Sequence, residues 1–276
     1  ELAQAFTLFG SQVTLLESAS TILPKEDKDA SGLVDSSLSQ DGVTILPDSV
    51  ITQVEKEGLD TVLKVLNRKD PSFLRVDKVV VAVGRTPNID GLNLQTVGVN
   101  FDHKTGVMVD DRLRTSNRRI FAAGDVCGHD QFTHVADAMA RIVIQNALFF
   151  GRARASSLTV PRCVYTSPEL AQVGITEQDA VAQGIPVCIF LEEMTSVDRA
   201  VIDGDTSGFA KILTSGYDDK ILGATLVGRH ASETISEVTL AINSGVGLSA
   251  LGFDLRPAFA AVRQLKIKNA KEYRTI

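Results

Sequence analysis

The chain has 276 residues, 44% hydrophobic and 22% charged, an ordinary globular composition that argues against disorder, collagen or a coiled coil and a length beyond the usual single core. A formal net charge of −6 argues against broad nucleic-acid or anionic-membrane binding and leaves Arg112, Arg114, Arg118 and Arg119 as a local basic cluster in a solvated loop. No stretch approaches the roughly 18 uncharged apolar residues of a membrane span, so neither nucleic acid nor membrane is an expected partner.

Cys127, Cys163 and Cys188 form no CxxC, no CxxxxC and no paired metal-ligand spacing. Neither a redox disulfide nor a metal site is therefore expected, and a reduced, cytoplasmic setting fits. The chain opens on Glu1 inside a helical pattern, which leads to the expectation that it is a portion of something longer.

In chain order, residues 1–9 carry Leu2, Ala5, Phe6 and Phe9 at helical spacing, with Gly10 as a stop. Residues 13–16 read as a buried strand ending at Glu17. Residues 24–40 read as a weakly patterned helix closed by Asp41 and Gly42, and strands are expected near 43–46, 49–55, 61–67 and 76–83. This order is what an α/β nucleotide-binding unit keeps when its first strand and glycine turn are removed. No G-x-G-x-x-G is present.

A loop-rich stretch after the Gly-Arg-Thr-Pro-Asn run at 84–88 leads to a short strand at 120–123, then Gly124 and Asp125. The clearest helix follows at 133–150, with Thr133 as its expected cap and Val135, Ala138, Met139, Ile142, Val143, Asn146 and Ala147 laying out an apolar stripe at helical period. Pro161 marks a boundary. Beyond it, 208–214 and 220–228 alternate like antiparallel strands, and 233–243 reads as an amphipathic helix stopped by Gly245, an α+β unit.

The most informative run is TSNRRIFAAGD, residues 115–125. A strand that ends in Gly-Asp admits a ligand closely at Gly124. It sets the Asp125 carboxylate at the carboxyl edge of a sheet, where α/β folds bind ligands. A carboxylate there accepts hydrogen bonds from a polyol. A bare Gly-Asp pair alone is commonly just a turn, so the longer run carries the weight.

Together with ELAQAF, VVVAVGRTPN, YTSPELAQVGITE, GFAKIL and KILGATLVGRHASETISEVTLAI, that run resembles the flavoprotein pyridine-nucleotide disulfide oxidoreductases, the family of dihydrolipoamide dehydrogenase, glutathione reductase and mercuric reductase. The likeness covers about residues 1–250, and QFTHVADAMARIVIQNALFFGR looks most like the mercuric-reductase branch. The resemblance implies partial, Rossmann-like α/β nucleotide-binding units followed by an α+β dimerisation domain. It divides the chain into a partial NAD(P)-binding domain at 1–86, a partial FAD-binding domain at 87–157 and a dimerisation domain at 158–276.

Residue by residue, the resemblance implies that Asp125 hydrogen-bonds the ribityl or pyrophosphate part of FAD, with Gly124 giving that approach. Thr133 and His134 would open a helix pointing at the flavin, and a helix N-terminus offers N–H donors and partial positive charge to a reduced flavin ring. His134 has a plain alternative as a neighbour of the cap. Glu17 would bind the adenine-ribose hydroxyls of NAD, with no closely following Arg to hold the 2′-phosphate of NADP; an exposed acid where a strand meets a loop is the plain alternative. Val50 would line the adenine pocket. Gly84 and Arg85 would sit where the chain crosses between the nucleotide units, unless Arg85 serves only a structural ion pair. The expected cofactors are FAD and NAD rather than NADP.

The sequence also departs from the family pattern. Both glycine turns and the redox-active CxxxxC are missing, and the pattern His-Pro-Tyr-Pro-Thr-x-x-Glu is replaced by the stretch from Asp254 through Leu255 and Arg256 to Ala261. No catalytic residue is therefore assigned. The expectation is the C-terminal part of a flavoprotein passing electrons from NAD(P)H through FAD to a disulfide, metal or other acceptor. Its expected partners are a second copy in a homodimer and the missing N-terminal half of the same protein. The alternative is a non-catalytic nucleotide-binding or dimerisation module.

Overall fold

Gln4 is a buried amide on α1 (Leu2–Leu8), and its Nε2 donates to Asp41 Oδ2 at 2.7 Å and to the Ser167 carbonyl at 2.9 Å, tying chain segments far apart in sequence. The fold is that of a computed structural model describing residues 1–68, 70–128, 130–251 and 274–275. It divides into two compact units, residues 80–160 and residues 1–79 with 161–276.

In the discontinuous unit, β1 (Thr14–Leu16), α2 (Lys28–Gln40) and β2 (Thr44–Leu46) form a parallel strand pair with a helical crossover, registered Thr14 to Thr44 and Leu16 to Leu46. α2 starts later than the sequence pattern predicts. Pro24 lies outside it, and Asp27 is the N-cap, its side chain accepting from the amides of Asp29 and Ala30. β3 (Ser49–Glu57), β4 (Asp60–Asn67) and β5 (Asp70–Val76) make an antiparallel sheet. The predicted strand at 76–83 is not formed: β5 ends at Val76, and Val79, Val80, Val81 and Val83 are exposed. A strand exists only through a ladder partner, and hydrophobic run length alone cannot supply one.

Further along the same unit come β8 (Arg162–Val164), β9 (Glu169–Gly174), α4 (Glu177–Gln183), β10 (Val187–Glu193), α5 (Asp198–Asp203), β11 (Phe209–Ser215), β12 (Ile221–Gly228), α6 (Ala231–Ser244), α7 (Leu248–Leu251) and β13 (Arg274–Thr275). The strands form a six-stranded sheet in the order β13-β10-β11-β12-β9-β8. Its central strands are buried on both faces. Ala210, Ile212, Ala224 and Leu226 share a core with Ile235 and Val238 of α6, whereas Phe209, Val227 and Leu170 share one with Ala30, Val34 and Leu38 of α2. The i, i+4, i+8 spacing of those three α2 residues is the stripe that buries that helix. The stretch from Asp254 to Ala261 lies outside the described residues.

The 80–160 unit holds a short hairpin, β6 (Phe101–Asp102) and β7 (Gly106–Val107), a 3₁₀ turn at Gly124–Cys127, and α3 (Thr133–Leu148). Leu113, Cys127, Val135, Met139 and Ile142 form its core. Asn146 anchors the chain leaving the helix, with Nδ2 donating to the Ala153 carbonyl at 2.9 Å and Oδ1 accepting from the Ala153 amide at 3.0 Å. The strand predicted at 120–123 reduces to a single bridge between Arg114 and Phe121.

Candidate functional site

Glu17 follows β1, and its backbone is held on both sides: its amide donates to the Leu46 carbonyl at 3.1 Å and its carbonyl accepts from the Ser49 amide at 2.8 Å. The carboxylate Oε1 accepts from the Ala19 amide at 2.9 Å and from Ser18 Oγ at 3.2 Å. Local donors thus fix the acid where the parallel pair ends. Val50, next to Ser49 at the start of β3, is exposed. Glu17 follows a strand of the parallel pair and Val50 lies at the start of the separate antiparallel sheet; the Ser49 bond to Glu17 and the Asp48 amide donating to the Ala19 carbonyl at 2.9 Å tie the two segments together.

The other predicted residues lie in the 80–160 unit. Gly84 has φ +123, a conformation that favours glycine. Arg85 Nη1 donates to the Gln131 carbonyl at 2.6 Å and stands 3.7 Å from Asp125 Oδ2. Arg85 therefore links the turn containing Asp125 to the chain entering α3, and an ion-pair role for it is part of the observed geometry. Gly124 opens the 3₁₀ turn with φ +79; its amide donates to Met139 Sδ at 3.4 Å. A side chain there would collide with Ala136, so the turn lies directly against α3. Asp125 is half-exposed beside it.

The predicted cap of α3 needs correction. The N-cap is Phe132, extended at φ −116 and ψ 143, and it makes no side-chain cap hydrogen bond. Thr133 is already in the first turn, because the chain becomes helical one residue earlier than a Thr cap requires. His134 follows it, its ring stacked on Phe132 at 5.4 Å. The first turn holds no acidic residue, so nothing in it neutralises the positive end of this helix.

Burial pushes the thiols of Cys127 and Cys163 up to about 11, and Glu169 and Glu26 add to the effect at Cys163. Neither is a ready nucleophile. Among the described residues, no group of three His, Cys, Asp or Glu side chains is placed to hold a metal ion, and no helix is long and apolar enough to cross a membrane.

The sequence reading missed a charge cluster in which Lys211 of β11 meets Asp27, Asp29 and Glu177. A signal existed. In FAKIL, period-2 alternation puts Lys211 on the same face as Phe209, where a charge must find partners.

A parallel strand pair with a helical crossover is an element of an α/β nucleotide-binding fold. The chain belongs to the pyridine nucleotide-disulphide oxidoreductase family: residues 1–141 match that family, and residues 160–260 match its dimerisation domain. It is 32% identical to a mercuric reductase of Staphylococcus aureus over 97% of this chain and 49% of the relative. It is 33% identical to a dihydrolipoyl dehydrogenase of Thermus scotoductus over 93% of this chain and 56% of the relative. Among solved structures, the HOCl-induced flavoprotein disulfide reductase RclA of Escherichia coli superposes with a TM-score of 0.85 at 28% identity, covering 96% of this chain and 60% of that one. LpdA of Mycobacterium tuberculosis superposes with a TM-score of 0.86 at 26% identity, covering 96% and 59%. The chain spans about half the length of the curated relatives it matches. The family uses FAD and a pyridine nucleotide.

Proposed function

We propose that this chain is the C-terminal portion of an FAD-dependent oxidoreductase that takes hydride from NADH and passes electrons to a disulfide, metal or other acceptor. The observation that carries the reading is the Gly124-Asp125 turn packed against the N-terminus of α3. Bound FAD supplies the two-electron chemistry. For the chain's own residues, Asp125 would accept hydrogen bonds from the ribityl hydroxyls. Arg85 steadies that carboxylate, and Thr133 and His134 present the positive helix end toward the charge that a flavin gains on reduction.

Glu17 selects NAD by accepting hydrogen bonds from the adenine-ribose hydroxyls and repelling a 2′-phosphate, with Val50 against the adenine. Gly84 turns the chain between the proposed NAD part at 1–86 and the FAD part at 87–157, and 158–276 pairs two copies as a homodimer. Since the sequence contains neither CxxxxC nor the glycine turns, the thiols and phosphate cradles belong to the N-terminal half of the same protein. By itself this chain is inactive, and the assembly works in the cytoplasm.

Anaerobic NADH addition to the protein at its native length tests the reading. It should bleach the flavin absorbance, more effectively than NADPH does; flavin colour that persists under excess NADH contradicts it. A non-catalytic module would bind nucleotide without that bleaching.

A further inference from the structure

Lys211 lies inside the protein, its side chain 3% exposed, on the sheet face that meets α2. Cross-strand register places Leu191, Lys211, Thr225, Gln172 and Arg162 in one row over that face. The ammonium donates to Asp27 Oδ1 at 3.0 Å and Oδ2 at 2.9 Å and to Asp29 Oδ2 at 2.6 Å, and it stands 3.5 Å from Glu177 Oε2. Asp27 is 1% exposed. Burial pulls the Lys211 ammonium down, but the hydrogen bonds it donates to Asp29 and Asp27 outweigh that and hold the group above the usual lysine range. A charge so placed stays only while its partners stay, since an unpaired buried ion is costly.

Asp27 has a second duty. Oδ1 also accepts from the Asp29 amide at 3.0 Å and the Ala30 amide at 3.3 Å, so the carboxylate that pairs with Lys211 starts α2. The Asp27 amide donates to Gln172 Oε1 at 3.2 Å, and Arg162 Nη2 stands 3.6 Å from Glu26 Oε2. Thus the row on the sheet grips 26–29 at several points. The loop held there begins at Glu17, whose carboxylate accepts from Ala19. One end of 17–27 is fixed by the parallel strand pair, the other by Lys211 and its neighbours in the sheet.

We infer that Lys211 is a positioning residue for pyridine-nucleotide binding: by holding Asp27 it fixes the loop that presents Glu17. The inference rests on the assignment of Glu17 to the adenine ribose. It gives the dimerisation sheet a direct hold on the nucleotide loop, through charge in addition to the apolar contact of Phe209 and Val227 with α2.

Two measurements on the native-length protein test it. The first is hydrogen exchange of peptides spanning 18–31 in Lys211→Met and Asp29→Asn. Exchange there should quicken by about tenfold or more in Lys211→Met and by less in Asp29→Asn, while β9 and β12 stay protected. The second is anaerobic flavin reduction by NADH, where half-saturation should rise about tenfold at an unchanged limiting rate. Unchanged exchange at 18–31 overturns the inference, as does quickening spread equally over β9 and β12. If Lys211→Met fails to fold, Lys211→Gln, which keeps a donor in the site but removes the charge that holds Asp27, decides by the same criterion. Glu17→Gln separates the two ideas: unaltered NADH binding in that variant overturns the ribose assignment, whereas the exchange result judges the Lys211 anchor by itself.

Discussion

A Cβ on Gly124 would stand 2.9 Å from the Cβ of Ala136, closer than real side chains approach, and Gly124 adopts φ +79. The turn that presents Asp125 is therefore held against α3 by the absence of a single methyl group. Gly106 does the same from the hairpin, where a Cβ would lie 2.2 Å from the Val126 carbonyl oxygen. Gly124→Ala should destabilise the 80–160 unit by about 1–3 kcal/mol, from overpacking and left-handed strain together. Urea unfolding followed by probes in that unit measures it; an unchanged midpoint contradicts the packing described.

Glu17→Ser tests the nucleotide assignment. Removing the carboxylate takes away like-charge repulsion toward a 2′-phosphate and the acceptor for a free ribose hydroxyl. The ratio of NADPH to NADH dissociation constants should fall by about tenfold, about 1.4 kcal/mol. A parent protein that binds both nucleotides equally before the exchange contradicts the role of Glu17.

The thiols make a pH-dependent prediction. Cys127 and Cys163 are raised by burial from 9.0 to about 11, so near neutral pH each carries on the order of 100-fold less thiolate than in the unfolded chain. Pulse alkylation should label both slowly in the native protein and rapidly in denaturant. Labelling at the denatured rate under native conditions would show that neither thiol is buried as described.

Glu26 is raised chiefly by burial, against the opposing charges of Arg162 and Lys25. Its folded value lies above its unfolded one, so its contribution to stability is fully present below the unfolded value and is lost as pH rises through the folded value. Ionised Glu26 thus weakens the fold at neutral pH. Glu26→Gln should raise the thermal midpoint at pH 7 more than at pH 4; an equal shift at both removes the linkage.

Period and stop signals made much of the fold legible. Leu2 to Phe9 with Gly10, the inner stripe of α3, and the alternation through Phe209 and Ile221 all mark elements found within a few residues of their expected ends. The failures share a physical cause. Val79 to Val83 reads as a strand because valine suits one, but among the described residues no ladder partner lies beside it. Thr133 has cap chemistry, yet the backbone at Phe132 already turns into the helix. α4 was missed although its capping box, Thr176 with Asp179, is written in the sequence. At the candidate site, the glycines and carboxylates could be named from the sequence. The link from Arg85 to Gln131 and the identity of Asp27 as the partner of Lys211 could not, because both join residues far apart in the chain.

Flavin retention by Asp125→Ala, compared with the unaltered protein at native length, tests the central proposal most directly. The unaltered protein should emerge yellow from gel filtration with flavin bound stoichiometrically. Asp125→Ala should lose most of its flavin under the same conditions while keeping its helical circular dichroism. Equal retention by both would contradict the assignment of Asp125, and an unaltered protein that holds no FAD would contradict the proposed function itself.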